Sequence, residues 1–564
     1  MSLLLGIYSK NKTIDNAFIK GLLNVFSLDG KRPLKTITTG SLVLVLSDNN
    51  NNFYSNDDFA ATLSGRLYSI SNMQSQPLTI SQNPCLDIIK SFIEKGTFVF
   101  ENFEGEYTCV IADKKQDKIF IANDYWGLYP FYYTDADDYF AFCNEYEPLT
   151  SLPNLKTDNN ALVEYFSLGA VLGEKTFFEN IKSIPSNSFI ELTNSKITIS
   201  TQRKKDITVN KIITINEAVE HISFLFNEGL QKRLNYFQYN FDAMLTGGAD
   251  TRLILSCINN EQRHKIKFVS YLTPPLTAET DADVVIAHKI ASSLNLNHEV
   301  RQFELWDEPF DENYFRYKRT ISEQKYLSGH FGSELLKKEI YKATDTHLLK
   351  AISASDTFFS KIKYRFDAKK ELRYIFSEDI LKGINNPFET LKTEIDKHNF
   401  CENKKLLFLF NIMTRSFFTR TWRGTQSIYF DQPAYMPIVF IMPFLDKNLL
   451  TFIFSLPENF FGVNHDNIYN LLFKNHFPEL LSIATNSPLA NDPLSAFKKE
   501  TTLSDPFDLR NYNYKEIMSK LLLDKDSLLK YNKKFIQTLN NTDDRAYRQS
   551  FIDYETWNRY IRTR

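Results

Sequence analysis

The chain lacks the residue patterns that mark several functional classes. Its five cysteines, at positions 85, 109, 143, 257 and 401, include no Cys-x-x-Cys pair, which indicates reduced, mostly buried thiols in a cytoplasmic protein. The nine histidines form no His-x-x-x-His or Cys/His cluster, so we predict no structural zinc. A formal net charge of -2 provides no electrostatic basis for binding nucleic acid.

Long apolar runs are also missing. No stretch of about 18 uncharged apolar residues occurs, and the nearest one, 437–456, is interrupted by Pro443, Asp446 and Lys447. The N-terminal segment 1–8 has a short apolar run without a basic leader or a small-residue cleavage site. We therefore expect a strand there rather than a signal peptide, and a soluble protein without a membrane partner.

The first 200 residues are rich in strand-like segments. Strands are predicted at 3–8, 41–46, 107–112 and 118–122, and a helix at 84–95, where Pro84 suits a first turn. Residues 114–117 are predicted to join the last two strands as a hairpin. A β-rich N-terminal domain is therefore expected.

From about residue 205 the pattern changes to alternating strands and helices. An amphipathic helix at 215–230 precedes strands at 241–245, 266–271 and 299–303, with helices between them at 251–258 and 281–294. This alternation predicts a parallel, doubly wound sheet. Ligands of such sheets lie at the carboxyl ends of the strands.

The segment Thr246-Gly-Gly-Ala-Asp-Thr251 lies at one of these strand ends. A strand, a glycine turn and a helix N-terminus together form an anion site, because free amides and the helix dipole point at the ligand. A carboxylate at Asp250 fits such a site if a divalent cation lies between it and phosphate. The local pattern alone is equally compatible with an ordinary strand-to-helix turn.

Several ordered motifs resemble class B, glutamine-hydrolysing asparagine synthetases. Phe103-Glu-Gly-Glu-Tyr107, Asn123-Asp124, Gly127 and Pro130-Phe-Tyr-Tyr133 resemble their amidotransferase domain, and 176–185 resembles the segment that leads to their second domain. The resemblance implies an α/β plus α+β fold. It implies a degenerate glutamine-amidotransferase-like domain over 1–204, an Ntn-hydrolase-like β-rich sandwich. It also implies, over 205–564, an adenine-nucleotide α-hydrolase-like (ATP pyrophosphatase) doubly wound domain with a helical C-terminal extension. The tail, about 505–564, is expected to pack on this second domain.

The N-terminus departs from the family pattern. The family's nucleophile is a cysteine directly after the initiator methionine, with the chain's own α-amine as base. Ser2 follows Met1 here, and if Gly6-Ile7 corresponds to the family's glycine–isoleucine step, Leu5 lies at the cysteine's position. We expect this domain to keep its fold and to have lost glutaminase activity.

Thr246–Thr251 also resembles the family's "ser-gly-gly-x-asp-ser" pyrophosphate loop, with threonine replacing both serines. The resemblance implies that ATP is split between its α- and β-phosphates and that Asp250 binds Mg²⁺. The ATP-binding residues that we expect are Leu245, Thr246, Gly247, Gly248, Asp250, Thr251, Tyr271, Ser328 and Gly329.

The segment 327–336 resembles the family's second turn, "leu-ser-gly-glu-gly-x-asp-glu-leu-phe". His330 replaces a residue assigned to catalysis and could act as a general base toward an amine. Ser333 replaces the second magnesium aspartate, so we expect Asp250 and Glu334 as metal ligands and His330 and Glu334 as catalytic residues. A partly decayed site, with His330 as an ordinary turn residue, is the alternative.

Two further features of the family are ambiguous in this chain. Asp283 aligns with a recurring family aspartate, although Asp281 and Asp283 are also explained as acidic residues at a helix start. The family's catalytic lysine has no clear counterpart. The segment 485–491 contains no lysine, and Lys498 and Lys499 are the nearest candidates.

Three functions are compatible with these observations. The first is an ATP-dependent, AMP- and pyrophosphate-forming amide ligase in peptide or natural-product biosynthesis, similar to lasso-peptide cyclases and β-lactam synthetases. Its substrates would be a carboxylate and an amine, with a precursor peptide and companion biosynthetic proteins as partners. The second is an asparagine synthetase that uses ammonia, and the third is a catalytically impaired, ATP-binding regulatory protein. The missing thiol and the changes at His330 and Ser333 favour the first.

Overall fold

The fold is described by a computed structural model of the chain. The described residues are 4–10, 16–24, 34–47, 52–71, 77–78, 80–129, 131–144, 146–168, 171–193, 196–201, 206–272, 277–302, 324–327, 375–385, 387–417, 438–460, 468–476, 478, 483, 525–539, 551 and 555. Among them, no helix is long and apolar enough to cross a membrane.

Two antiparallel sheets are built from the first 201 residues. The first sheet has the order β11-β9-β10-β1-β3-β2, and the second has the order β13-β12-β8-β7-β5-β4, with β6 paired to β5. Their strands are β1 (Leu4–Ser9), β2 (Leu34–Thr39), β3 (Leu42–Ser47), β4 (Phe53–Ser55), β5 (Phe59–Ser71), β6 (Pro77–Leu78), β7 (Phe103–Asp113), β8 (Lys118–Asn123), β9 (Tyr132–Asp135), β10 (Tyr139–Cys143), β11 (Lys182–Ser183), β12 (Ser188–Thr193) and β13 (Lys196–Thr201).

The two sheets form a sandwich because the central strands of each sheet are buried on both faces. Leu4 and Leu44 of the first sheet share a buried cluster with Val110 and Ile121 of the second sheet. The outer face of each sheet is covered by helices, listed here: α1 (Asn16–Asn24), α2 (Pro84–Lys95) and α3 (Asn159–Leu168). The resulting order is helix, sheet, sheet, helix, as expected for the β-rich first domain.

Local sequence explains the best predicted elements of this region. Helix α2 has the predicted bounds, with Asn83 as its N-cap, Pro84 in its first turn and Gly96 in a left-handed conformation after its last turn. The hairpin at 114–117 joins β7 to β8, and Asp117 there adopts a positive φ of 49°. The side chain of Asp113 accepts hydrogen bonds from two amides of this turn.

The third sheet is parallel throughout and has the order β16-β15-β14-β17-β18. Its strands are β14 (Asp242–Met244), β15 (Lys267–Leu272), β16 (His298–Gln302), β17 (Gln324–Leu327) and β18 (Ile438–Ile441). Numbered along the chain, this order is 3-2-1-4-5, so the direction of winding reverses at β14. The predicted parallel sheet is therefore present, and its three predicted strands differ from the observed bounds by one residue at each end.

The helices after residue 205 pack mainly around this sheet. Helix α4 begins with a capping box between Thr214 and Glu217. It continues to residue 237, which is about two turns beyond the predicted end at residue 230. The helices are α4 (Ile215–Phe237), α5 (Ala249–Ser256), α6 (Asn260–Arg263), α7 (Ala282–Leu294), α8 (Glu378–Leu381), α9 (Pro387–Asp396), α10 (Lys404–Phe417), α11 (Lys447–Phe454), α12 (Ile468–His476) and α13 (Lys533–Thr538).

The expected packing of the C-terminal tail is wrong for its described part. Tyr531, Phe535 and Phe551 are buried in the cluster that contains Leu5 of β1 and Phe166 of α3. The aromatic rings explain this placement, because Phe166 and Tyr531 pack with centroids 5.7 Å apart and Tyr531 and Phe551 with centroids 5.1 Å apart. The tail thus covers the outer face of the first sheet.

A buried network of charges connects the second sheet to the third. Arg233 of α4 contacts Glu106 of β7 at 3.1 Å and Asp446, which follows β18, at 3.3 Å. Its side chain and those of both carboxylates are at most 3% exposed. Arg66 of β5 approaches Glu106 from the other side at 3.0 Å, and Lys232 contacts Asp446 at 3.2 Å and also Glu104.

This arrangement gives Asp446 a structural role. One of its oxygens accepts from the amides of Asn448 and Leu449 and caps α11, while the other faces Arg233 and Lys232. Burial opposes its ionisation, but the two cations keep the pKa of Asp446 below its ordinary value. A buried pair of this kind makes removal of one partner costly, by about 3–5 kcal/mol.

The network needs a glycine inside α4. A Cβ atom at Gly229 would lie 2.8 Å from the Cβ atom of Asp446 and 3.0 Å from its Cγ. Glycine weakens a helix interior by about 1 kcal/mol relative to alanine. Its presence here therefore reflects the close approach of the chain around Asp446 to the helix, and not the conformation of the helix itself.

We predict that Gly229→Ala destabilises the protein by about 1–3 kcal/mol, because the added methyl group displaces Asp446 and outweighs the gain in helix propensity. Unfolding in urea measures the change. Gly21→Ala is the matched control, since Gly21 is exposed in α1 with no atom within 4 Å of its added Cβ. The control should gain about 0.5–1 kcal/mol, and an equal gain in both variants would contradict the role given to Gly229.

Candidate functional site

The glycine turn of the third sheet lies at the carboxyl end of β14, its central strand. Leu245 is fully buried, and its amide donates to the carbonyl of Val269 on β15 at 2.8 Å. Helix α5 begins at Ala249 with Gly248 as its N-cap residue, two residues earlier than predicted. The turn therefore occupies the point where the winding of the sheet reverses, which is where such sheets bind ligands.

Side-chain hydroxyl groups hold the shape of this turn. The hydroxyl oxygens of Thr246 and Thr251 are 2.9 Å apart and hydrogen bonded. The amide of Gly248 donates to the Thr246 hydroxyl at 3.1 Å. Threonine has a hydroxyl group, as serine does, so Thr246 and Thr251 can form this hydrogen bond between the two ends of the turn.

The amide of Gly247 holds an anionic group. It donates to carboxylate oxygen Oδ1 of Asp283 at 2.8 Å. Asp283 lies in the first turn of α7, whose N-cap is Asp281, and Asp281 accepts from the amides of residues 283 and 284. Capping therefore explains Asp281, whereas Asp283 makes a contact outside its own helix.

The environment of Asp283 raises the pKa of its carboxyl group to about 6. Burial is the main cause, and the negative charge of Asp281 adds to it, whereas the hydrogen bond from Gly247 acts in the opposite direction. The carboxyl group therefore titrates just below neutral pH. Its ionised form accepts the Gly247 amide in the way that a phosphate oxygen would.

Ser270 and His298 are polar side chains of β15 and β16 that are hydrogen bonded next to the turn. The Ser270 hydroxyl of β15 donates to the carbonyl of Leu245 at 2.7 Å and lies 2.8 Å from Nε2 of His298. Since the serine hydrogen is used on Leu245, Nε2 of His298 donates to Ser270. Burial and the nearby His288 lower the pKa of His298, which favours this neutral ring.

Arg252 is the polar side chain at the turn that sequence inspection did not identify. It is fully buried, and its Nη2 donates to the carbonyl of Gly247 at 3.3 Å. Its Nη1 donates to the carbonyl of Ile483, which is 231 residues further along the chain. The available signal in the sequence is a cation on the helix side of the turn, directly before the apolar stretch Leu253-Ile-Leu255.

Tyr271 is positioned one strand away from the turn. It lies near the carboxyl end of β15, is partly exposed and pairs in register with Arg301 of β16. Its hydroxyl is hydrogen bonded to Arg301, which also contacts Asp242 at 2.8 Å. Tyr271 therefore shares the sheet edge with the turn, and its contacts are with charged residues of the strands.

The described residues cover only part of the predicted site. They include Leu245, Thr246, Gly247, Gly248 and Thr251, which the structure brings together in one turn. The backbone of Asp250 lies in the first turn of α5, but its side chain is outside the described residues. Outside them as well are the predicted residues Ser328, Gly329, His330, Ser333 and Glu334 and the candidates Lys498 and Lys499.

Comparison with known proteins shows two kinds of similarity, one to a domain family over part of the N-terminal region and one to asparagine synthetases. A family model described as a glutamine amidotransferase domain matches residues 50–203. Asparagine synthetase [glutamine-hydrolyzing] 2 of Bacillus subtilis is 23% identical over 289 residues, which are 48% of this chain and 36% of that protein. Putative asparagine synthetase [glutamine-hydrolyzing] 1 of Methanocaldococcus jannaschii is 23% identical over 314 residues, 53% of this chain and 52% of the relative.

The chain thus spans from about a third to about half of the length of these curated relatives. Among solved structures, the glutamine phosphoribosylpyrophosphate amidotransferase from B. subtilis, complexed with ADP and GMP, has a TM-score of 0.24 at 10% identity. That likeness covers 53% of this chain and 65% of the solved chain, and the TM-score is too low for it to bear on the fold.

The raised pKa of Asp283 predicts a pH-dependent stability. Between about pH 4 and pH 6 the native protein binds more protons than the unfolded chain, so stability falls as the pH rises through this interval. Asp283→Asn keeps an oxygen for the Gly247 amide but does not ionise. We expect equal unfolding free energies near pH 4 and a variant that is more stable by roughly 1–3 kcal/mol above pH 6.

Urea unfolding at several pH values measures this difference, with Asp57→Asn as a control, because Asp57 is exposed on a surface bend. The control should follow the wild type at every pH. If Asp283→Asn is less stable than the wild type at pH 7, the free-energy cost assigned to the buried, ionised Asp283 carboxylate is contradicted.

Proposed function

We propose that the chain is an ATP-dependent, amide-forming ligase without glutaminase activity. Its matches to a glutamine amidotransferase domain model and to asparagine synthetases support this proposal. A carboxylate substrate is adenylated, pyrophosphate leaves, and an amine attacks the activated carbonyl group. The carboxylate and the amine belong to a peptide or to a small natural product. The proposed setting is cytoplasmic, with a precursor peptide and companion biosynthetic proteins as partners.

One observation carries this proposal: the Gly247 amide donates to a carboxylate oxygen at the carboxyl end of β14. That oxygen stands in for a phosphate oxygen, so the donor is already directed at an anion. The N-terminus of α5, which begins at Ala249, adds the positive end of a helix dipole to the same place. The donor set fits the pyrophosphate portion of ATP.

The described residues have distinct tasks in this reaction. The amide of Gly247 binds a phosphate oxygen, and Asp283 leaves it when the phosphate arrives, since one amide cannot serve two anions. The amide of Gly248, which donates to the Thr246 hydroxyl at 3.1 Å, exchanges this partner for a second phosphate oxygen. Thr246 and Thr251 keep the turn closed through their hydroxyl contact of 2.9 Å. Placement of charge acceptors before the reaction starts is how such a site stabilises a leaving pyrophosphate.

The proposed metal is Mg²⁺, held by Asp250 and Glu334. When bound, it neutralises charge on the phosphates and assists the departure of pyrophosphate. Asp250 belongs to the first turn of α5, next to the phosphate-binding amides, and oxygen ligands suit this ion. The buried carboxylate of Asp283 brings a further acidic group to the same turn.

The second turn of the site is proposed to follow β17. This strand lies beside β14 in parallel, with Ala243 opposite Leu327, so the chain leaves both strands at the same edge of the sheet. Ser328 and Gly329 then complete the ATP site, and His330 acts as general base toward the attacking amine. Tyr271, on the other side of β14, is proposed to contact the nucleotide from β15.

Loss of glutaminase activity is supported by the surroundings of Leu5. Leu5 is fully buried in β1, and its register partners are Cys143 on β10 and Val45 on β3. The preceding Leu4 donates its amide to the Asn144 side chain at 3.0 Å. A residue held inside a paired strand, with its nitrogen in a peptide bond, provides neither a thiol nor a free α-amine.

ATP–pyrophosphate exchange tests the ligase activity. With carboxyl-bearing peptides as substrate, we expect exchange by the wild type and a loss of roughly 100-fold or more in Asp250→Asn, because a metal ligand is removed. Asp137→Asn, at an exposed position on a bend, is the control of equal charge and should keep full activity.

Two results of this assay would contradict the proposal. Absence of exchange with every substrate while ATP still binds indicates the regulatory protein. Exchange with aspartate, followed by ammonia-dependent formation of asparagine, indicates an asparagine synthetase that uses ammonia.

A second prediction concerns the nitrogen source. Glutamine is not expected to serve as donor, since Leu5 provides no nucleophile at the family's cysteine position. Incubation with glutamine, followed by enzymatic detection of glutamate, should give no release above a heat-denatured sample. Release that depends on the folded protein would show that the first domain is an active glutaminase.

A further inference from the structure

Arg252 joins two segments of the third-sheet region that are distant in sequence. Its guanidinium group donates from Nη2 to the carbonyl of Gly247, at 3.3 Å, and from Nη1 to the carbonyl of Ile483. Ile483 is partly buried and packs against the core formed around the third sheet. One planar group with donors in a fixed fork can satisfy both carbonyls, whereas a lysine ammonium acts as a point charge.

The carbonyl of Gly247 belongs to the peptide unit that also contains the amide of Gly248. Arg252 holds this unit at its oxygen, and the Thr246 hydroxyl holds it at its nitrogen, at 3.1 Å. The preceding amide, of Gly247, donates to Asp283 at 2.8 Å. Replacement of Asp283 by a phosphate therefore changes the partner of the Gly247 amide. The carbonyl oxygen of the same residue is bonded to Arg252.

We propose that Arg252 is a positioning residue that couples phosphate binding at the Gly247–Gly248 turn to the placement of the chain at Ile483. This inference rests on the proposed ATP-dependent function. The guanidinium also brings a positive charge to the base of the turn, where it attracts the bound phosphates.

The coupling works in both directions. If Arg252 transmits the effect of phosphate to Ile483, then fixing the position of Ile483 raises the affinity of the turn for phosphate by the same factor. Loss of the contact with Gly247 or of the contact with Ile483 weakens both effects. A purely structural arginine would instead change the stability of the protein and leave its response to ATP unaltered.

Hydrogen–deuterium exchange measured by mass spectrometry tests this coupling with and without Mg²⁺ and ATP. In the wild type, ATP should slow exchange of the peptide that contains Ile483 at least about threefold. In Arg252→Lys the same peptide should exchange faster without nucleotide and respond little to ATP. The variant should also bind ATP roughly tenfold more weakly than the wild type. Thermal unfolding checks that the variant is folded. The slowing of exchange by ATP in the wild type can be measured even if the variant does not fold.

Arg263 supplies the matched control. Its Nη2 donates to the carbonyl of Leu255 at 2.8 Å, so it is also an arginine bonded to a carbonyl of α5, at the end of the helix away from the turn. Arg263→Lys should leave both the exchange at Ile483 and its response to ATP as in the wild type.

The outcomes separate this inference from the proposed function. Equal exchange at Ile483 in the wild type and in Arg252→Lys, with the same slowing by ATP, overturns the inference while ATP binding stands. A wild type that does not bind ATP overturns the proposed function and the coupling together. Slower exchange at Ile483 with ATP in the wild type, lost only in the Arg252 variant, supports both.

Discussion

The placement of the third sheet against the second depends on one buried cation, Arg233. It contacts Glu106 of the second sheet at 3.1 Å and Asp446, beyond the third sheet, at 3.3 Å. A buried guanidinium and two buried carboxylates are stable only together, because each charge compensates the loss of hydration of the others. Helix α4 therefore has to hold Arg233 at this contact, and Gly229, one turn earlier, lets Asp446 come close. The same helix leads directly into β14 and the glycine turn.

The turn at the end of β14 is an anion site that the chain fills with its own carboxylate. Asp283 takes the Gly247 amide at 2.8 Å, and burial raises its pKa to about 6. The contact keeps the amide directed at a negative group, and it has a free-energy cost near neutral pH. A phosphate that displaces Asp283 relieves this cost, so the arrangement favours exchange of one anion for another. Arg252 holds the carbonyl oxygen of the same residue, Gly247.

Much of this fold follows from local sequence patterns. The sequence predicted four strands of the sandwich and three strands of the parallel sheet, and Pro84 predicted the start of α2. The glycine turn was recognisable because it depends on adjacent residues. Contacts between distant residues were not, since no local pattern pairs Arg252 with Ile483, or Asp283 with Gly247. The tail was assigned to the wrong sheet for the same reason, because an amphipathic, aromatic segment does not encode which surface its apolar face covers.

A crystal structure of the chain with Mg²⁺ and a non-hydrolysable ATP analogue tests the ATP site most directly. We predict that phosphate oxygens lie about 3 Å from the amide nitrogens of Gly247 and Gly248, and that the Asp283 carboxylate has left the Gly247 amide. An analogue bound elsewhere, with Asp283 still accepting from Gly247 as it does now at 2.8 Å, would contradict the assignment of this turn to pyrophosphate.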